Sequence, residues 1–161
     1  MDLFSLEDTL NAQANVRFRS AYLFFSMSLD AERKGFKGVA NWFSAQHSKE
    51  MTDARRLMNH INSIGAKVCM YKINEVSSQW NSLLSMFTDK LHHDEKLFEL
   101  LVYALMVATE IKHEESVAFI KSLQCEQNKK IEISKQIVEC VAQGDDDEAL
   151  QFLDKLLNEK A

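Results

Sequence analysis

Proline is absent from this 161-residue chain, and only four glycines and three cysteines occur. Without proline, nothing in the sequence forces a helix to break. The glycines Gly35, Gly38, Gly65 and Gly144 lie at wide intervals, which reads as punctuation between helices. Cys69, Cys125 and Cys140 are an odd number without metal-ligand spacing, so we expect reduced thiols serving as small packing residues in a cytosolic setting. The longest apolar run, Leu100 to Ala108, is far too short to span a bilayer. The opening Met1-Asp2-Leu3-Phe4-Ser5-Leu6-Glu7-Asp8 lacks the basic stretch and apolar block of a secretory signal. No basic tract occurs and the net charge is -5, which argues against nucleic acid as the main partner. These absences point to a soluble, cytoplasmic protein with neither membrane nor nucleic-acid partners.

What is present is apolar residue in quantity, 46% of the chain, enough for one substantial core and hence one domain over 1–161. Apolar residues recur at three- and four-residue steps. They predict helix A near 4–34 and helix B near 38–64, with Ser5 capping the first and Asp8 as a capping-box partner. Residues 66–80 lose the period. A helix of about 26 residues spans roughly 40 Å, and about 15 extended residues reach roughly 50 Å. That connection can therefore run the length of a bundle and join two parallel helices. Helix C is predicted from about Asn81 to Thr109 and helix D from about Glu115 to Gln143, with no glycine between them to fix the boundary. Asp145-Asp146-Asp147-Glu148 then opens a short amphipathic helix near 146–159, with Leu150, Leu153, Leu156 and Leu157 on one face; its acids suit a capped start. The fold class is all-α: an antiparallel four-helix bundle over about 4–143, with a long B–C crossover and a short C-terminal fifth helix.

The apolar stripes are interrupted at similar heights. Helix A reads Leu3, Leu6, Leu10, Ala14, Arg17, Ala21, Phe24, and helix B reads Val39, Phe43, Gln46, Glu50, Asp53, Leu57, Ile61, Ile64. Helix C reads Leu84, Phe87, Leu91, Asp94, Leu101, Leu105, Ala108, and helix D reads Ile120, Leu123, Gln127, Lys130, Ser134, Ile137, Val141. Arg17, Glu50, Asp94 and Gln127 each lie about a dozen residues into their helices, near the midpoint. Midpoints meet whichever way neighbouring helices run. Two single residues and two i, i+3 pairs match the layout of di-iron bundles.

The stretches Leu10-Asn11-Ala12-Gln13-Ala14-Asn15, Glu50-Met51-Thr52, Glu126-Gln127 and Phe152-Leu153-Asp154-Lys155 give the chain a specific resemblance. Over essentially its full length it resembles bacterial non-haem ferritins. That resemblance implies a homo-oligomeric cage of 24 subunits that oxidises ferrous iron and stores ferric mineral. It also implies a dinuclear centre of a helix A glutamate, a Glu-x-x-His pair in helix B, a helix C glutamate, and Gln or Glu on helix D. Those places hold Arg17, Glu50 with Asp53, Asp94, and Gln127 with Lys130. Only Glu50 and Gln127 match outright. At the family's third iron site only Glu126 keeps a carboxylate, because Lys49 and Lys129 occupy the other places, and Phe24 stands where a tyrosine is usual. Although Glu50-Met51 is shared with haem-binding relatives, no haem is expected.

Glu50, Asp53 and Asp94 supply three negative charges, Arg17 and Lys130 two positive ones, so the cluster sums to -1 before any metal arrives. At an effective dielectric near 20, unit charges about 4 Å apart interact by roughly 4 kcal/mol, and a divalent ion beside Arg17 meets repulsion of that order. The expectation is an internal salt-bridge network in which cations replace metals. It leaves a cage subunit for iron storage with weak or absent ferroxidase activity, alone or co-assembled with an active ferritin subunit. The alternatives are a slow ferroxidase keeping one iron at Glu50 and Asp94, and a structural cage that no longer handles iron. His47, His60, His92, His93 and His113 read as solvated residues.

Overall fold

The computed structural model describes residues 3–161, with side chains from Ser5 onward; that of Leu3, first on the helix A stripe, lies outside the described residues. Five helices and, among the described residues, no strands make up the chain: α1 Leu3–Arg33, α2 Lys37–Ser63, α3 Leu83–Glu110, α4 Glu114–Gln143 and α5 Asp147–Lys160. The all-α bundle with its short fifth helix is therefore as the periodicity predicts. The start of α1 is not. The helix is already under way at Leu3, so Ser5 and Asp8 sit inside its first turns and cannot form the expected cap.

Three helix ends use one device. After α1 and α2 the chain reverses through Gly35 (φ 87°) and Gly65 (φ 79°), and the next amides, of Phe36 and Ala66, reach back to the carbonyls of Ala31 and Ile61. This is the glycine C-terminal motif. After α3 the same reversal occurs at Lys112 (φ 59°), with the His113 amide bonded to the Ala108 carbonyl. A lysine holds a conformation that glycine normally takes, which is why the sequence carries no punctuation there.

The crossover is fastened along α1. The Lys67 amide donates to Glu7, Asn11 and Asn15 exchange hydrogen bonds with the backbone of Lys67, Cys69 and Tyr71, and the Trp80 amide donates to Asp30. The connection thus travels from the first turns of α1 to its last, so α3 begins at the end of the bundle where α2 also begins. The two helices run parallel, as the reach of the connection requires. Asn11 and Asn15 satisfy backbone groups that an extended segment would otherwise leave without partners.

The core lies in two apolar bodies. One holds Phe24, Met27, Trp42, Phe43, Met86 and Phe87, together with Leu153 and Leu157 of α5. The other holds Leu6, Leu10, Leu57, Ile61, Leu101, Ala104, Ile120 and Leu123. α5 closes the first body. Its start is capped by Asp146, which accepts from the Ala149 amide. In turn its Asp154 accepts from the Val39 amide at 2.7 Å, at the start of α2 where the N-cap residue, Phe36, offers no side-chain bond. Of the four leucines on the apolar face of α5, Leu153 and Leu157 are inside and Leu150 is half-buried, whereas Leu156 is exposed on the single chain, as is Phe152.

Candidate functional site

Between the two apolar bodies lies a layer of buried polar side chains from all four long helices. Arg17, only 1% exposed, donates from Nε to Gln13 Oε1 at 2.8 Å and from an Nη to Glu50 Oε2 at 3.2 Å and Gln127 Oε1 at 3.0 Å; its Nη is also 3.6 Å from Asp53 Oδ2. Lys130 enters from α4 and bridges Glu50 Oε1 at 3.2 Å and Asp53 Oδ2 at 2.8 Å. Arg56 links Asp53 Oδ1 at 3.1 Å to Glu126 Oε2 at 2.9 Å. Arg17, Glu50, Asp53, Gln127 and Lys130 therefore form one cluster, with Glu126 tied to its edge.

Asp94 belongs to a second centre. Lys90, one turn earlier on α3, approaches Asp94 Oδ2 at 2.6 Å, and Ser134 donates to the same oxygen at 2.6 Å while accepting from Lys90. Gln127 connects the centres by donating from Nε2 to the Asp94 backbone carbonyl. Asp94 Oδ1 is buried and has no hydrogen-bond partner.

The periodicity of helix C does not single out Lys90: the predicted stripe shares Phe87, Asp94, Leu101 and Ala108 with the buried face, but takes Leu84, Leu91 and Leu105 where Leu83, Lys90 and Ala104 are buried. The buried positions are Leu83, Met86, Phe87, Lys90, His93, Asp94, Leu97, Leu101, Ala104, Val107 and Ala108, whereas Leu84, Leu91 and Leu105 are only partly buried. Consecutive residues lie about 100° apart, so at these three heights the buried side chain is the neighbour of the expected leucine, and at one of them it is Lys90. Its ammonium lies 5.0 Å from the Phe24 ring centroid and 5.3 Å from that of Trp42, so two aromatic rings partly solvate a cation. With Lys90 included, Arg17, Lys130 and Lys90 balance Glu50, Asp53 and Asp94, three against three. The expected residual charge of -1 becomes zero.

This geometry leaves little donor capacity for a metal. Both oxygens of Glu50 and both of Asp53 face cations, and Asp94 Oδ1 is the one uncommitted carboxylate oxygen of the three. A ferrous ion takes several oxygen or imidazole donors, and among the described residues no three His, Cys, Asp or Glu side chains converge on a possible metal position. The residues do not fit a dinuclear iron centre. Burial alone would raise the pKa of Asp53, but Lys130, with Arg17 and Arg56, outweighs it and holds the carboxyl below its ordinary range. Lys49 and Lys129 are exposed and join neither centre.

The histidines correct the expectation of solvated side chains. His92 is exposed, but His93 is buried against Ser20, 2.5 Å away, and edge-on to Phe24. His60 is buried, bonded to Ser116 at 2.8 Å and stacked on Phe119; His47 and His113 are half-buried. The cysteines are corrected too, since Cys125 and Cys140 are exposed and pack no core. Burial lowers the pKa of both His60 and His93, against partial opposition from Glu115 at the first and from Asp94 and Glu50 at the second. Each is held neutral in the fold while the unfolded chain protonates near pH 6.5. Stability is thus full above about pH 6.5 and declines as pH falls toward the lower folded pKa, by at most about 1.4 kcal/mol per pH unit for each histidine. Melting curves at pH 7.5 and 5.5 should show the loss, and His60→Gln should make it smaller; an undiminished loss would assign it elsewhere.

Comparison with known proteins agrees with this architecture. A ferritin-like domain model matches residues 7–144. The bacterial non-heme ferritin of Bacteroides fragilis is 26% identical over 96% of this chain and 97% of its own, and that of Staphylococcus aureus is 23% identical over 95% and 93%. Among solved structures, the open pore ferritin of the hyperthermophilic archaeon Archaeoglobus fulgidus superposes with a TM-score of 0.93 at 29% identity, covering 96% of each chain. No described helix is long and apolar enough to cross a membrane. Helix order, crossover and fifth helix thus agree with sequence similarity along nearly the whole chain, and the protein belongs to the ferritin family.

Proposed function

We propose that this chain is a ferritin-type cage subunit for iron storage in which ion pairs have taken the place of the dinuclear iron centre. The observation that carries this reading is the neutral layer in which Arg17, Lys130 and Lys90 occupy the carboxylates of Glu50, Asp53 and Asp94. Iron is then cargo, not a substrate this subunit oxidises quickly. The alternative single iron at Glu50 and Asp94 is disfavoured because Glu50 is held by Arg17 and Lys130 and Asp94 by Lys90 and Ser134, with no described partner side chain in common; Gln127 links them only indirectly, accepting from Arg17 and donating to the Asp94 backbone carbonyl. Assembly has its own support. Tyr22, Phe25 and Leu29 lie along one face of α1, each about half exposed, an apolar stripe suited to contact between copies. Light scattering should find a particle of about 24 chains; a monomer or dimer at physiological salt would count against the cage.

The functional test is ferrous-dependent oxygen uptake by the assembled protein. The parent should lack a fast phase at about two irons per chain, and its melting temperature should not respond to stoichiometric ferrous iron. In Arg17→Glu with Lys130→Glu the cluster becomes more negative by four charges and gains two hard oxygen donors. This variant should lose stability without metal, because carboxylates then crowd one layer, and regain it with iron, which binds only the folded state. Rapid oxygen uptake by the parent would overturn the proposal. Iron retained after loading with ferric salt would separate a storage cage from a purely structural one.

A further inference from the structure

A cavity of about 430 Å³ opens beneath α5, between α2 and α4, and reaches the cationic side of the midpoint layer at Lys90 and Lys130. Its apolar wall is built from Trp42, Ile133, Ile137, Leu153, Leu156 and Leu157, its polar atoms come from Gln46, Gln136 and Cys140, and it reaches Lys49, Lys90, Lys130 and Lys160. Among the described residues, no aspartate or glutamate lines it. Two of the four amines are already neutralised: Lys90 by Asp94, and Lys130 by Glu50 and Asp53. Lys49 and Lys160 are exposed and form no ion pair with a described residue. The cavity therefore pairs an apolar body with two uncompensated positive charges at its rim.

We infer that this cavity is a binding site for a single-chain carboxylate amphiphile, a medium-chain fatty acid in chemical class. The alkyl chain would lie along Ile133, Ile137, Leu156 and Leu157, removing apolar surface from water on both sides. The carboxylate would sit between Lys49 and Lys160. The volume falls in the range of small-molecule pockets and admits one chain. Charge complementarity selects the anionic head, since an ammonium there would meet two uncompensated amines and no lining acid. This assignment is independent of whether the midpoint cluster holds iron. It also gives Lys49 a place in the structure, where the family resemblance predicts a carboxylate.

Calorimetric titration of the assembled, metal-free protein tests the assignment with sodium decanoate, decylammonium chloride and sodium acetate, which keep respectively the whole amphiphile, the tail with inverted charge, and the head alone. Decanoate should bind saturably at one per chain, with a dissociation constant on the order of 10–100 µM, and decylammonium and acetate at least about tenfold more weakly. Lys49→Glu with Lys160→Glu changes only exposed positions and should weaken decanoate by at least about tenfold. Ile133→Trp, at a half-exposed wall position, should block it by filling the cavity. No saturable heat with decanoate, equal binding of decylammonium, or undiminished binding by both variants would each overturn the proposal.

Discussion

Asp94→Ala should destabilise the protein by about 3–5 kcal/mol, the range for breaking a buried pair and stranding one charge. The Lys90 ammonium has 2% of its side chain exposed and Asp94 none, so water cannot replace the lost carboxylate. Ser134 would then be the sole remaining hydrogen-bond partner of that ammonium. Removing all three polar members should have a different result. In Lys90→Met, Asp94→Leu, Ser134→Ala no charge is left behind, and the unsatisfied Asp94 Oδ1 disappears as well. Replacing a buried ionic group by apolar residues of similar volume is often neutral or stabilising, so the triple variant should melt near the parent temperature or above it. Urea unfolding at one fixed protein concentration compares the three proteins, since assembly makes apparent stability concentration-dependent. An Asp94→Ala variant within about 1 kcal/mol of the parent would mean that Lys90 finds solvent, and that the buried pair is wrongly placed. A triple variant as unstable as the single one would mean that the pair is specifically required.

Gly38→Ala is the second large effect, although it adds one methyl group. A Cβ built on Gly38 would lie 1.9 Å from the Asp154 carbonyl oxygen and 2.7 Å from its carbon, with Asn158 Cβ at 2.9 Å. The obstacle is the backbone of α5, which cannot rotate aside as a side chain could. α5 must move outward, and three interactions go with it: the Val39 amide bond to Asp154, the Asn41–Asn158 bond, and the burial of Leu153 and Leu157. Burying each leucine contributes roughly 1.5–3 kcal/mol, whereas α5 has only 14 residues and is marginal as an isolated helix. The variant should therefore lose the α5 signal in circular dichroism and become open to proteolysis near Gly144, while the four long helices persist. Decanoate binding should fall with it, because α5 forms one wall of the cavity. Gly144→Ala is the matched control: its new Cβ would meet only the Ala149 methyl at 3.4 Å. Should Gly38→Ala resist protease as well as Gly144→Ala does, the close approach of α2 and α5 is not as described.

The polar layer also bears on the register of the four long helices. Buried ionic groups contribute little net stability once desolvation is counted, but they restrict register. Arg17 joins α1 to α2 and α4, Lys130 joins α4 to α2, and Asp94 with Ser134 joins α3 to α4. A shift of any one helix by a turn would leave several charges without partners. The layer thus fixes the relative height of four amphipathic helices whose apolar faces alone would tolerate sliding.

The number of helices, their approximate ends, the crossover and the midpoint position of Arg17, Glu50, Asp94 and Gln127 are all determined by the sequence, because they depend on local periodicity and on the reach of a chain of known length. The glycine-marked ends of α1 and α2 were legible for the same reason. What the sequence left undetermined follows from contacts between segments far apart in it. The burial of Lys90 in place of its neighbour Leu91 is not given by periodicity, and its charge is tolerable only because Asp94, Ser134 and two aromatic rings surround it. Arg56 meets Asp53 three residues away on α2, but its tie to Glu126 crosses from α2 to α4, which no spacing within one helix reveals. His60 and His93 look isolated along the chain, yet Ser116 and Ser20 await them on neighbouring helices. Lys112 adopts a glycine conformation because the packing of α3 against α4 demands the reversal there. Periodicity is set by neighbours three and four residues away, so a single chain displays it; pairing of buried charges is set by the docking of whole helices, so only the tertiary structure decides it.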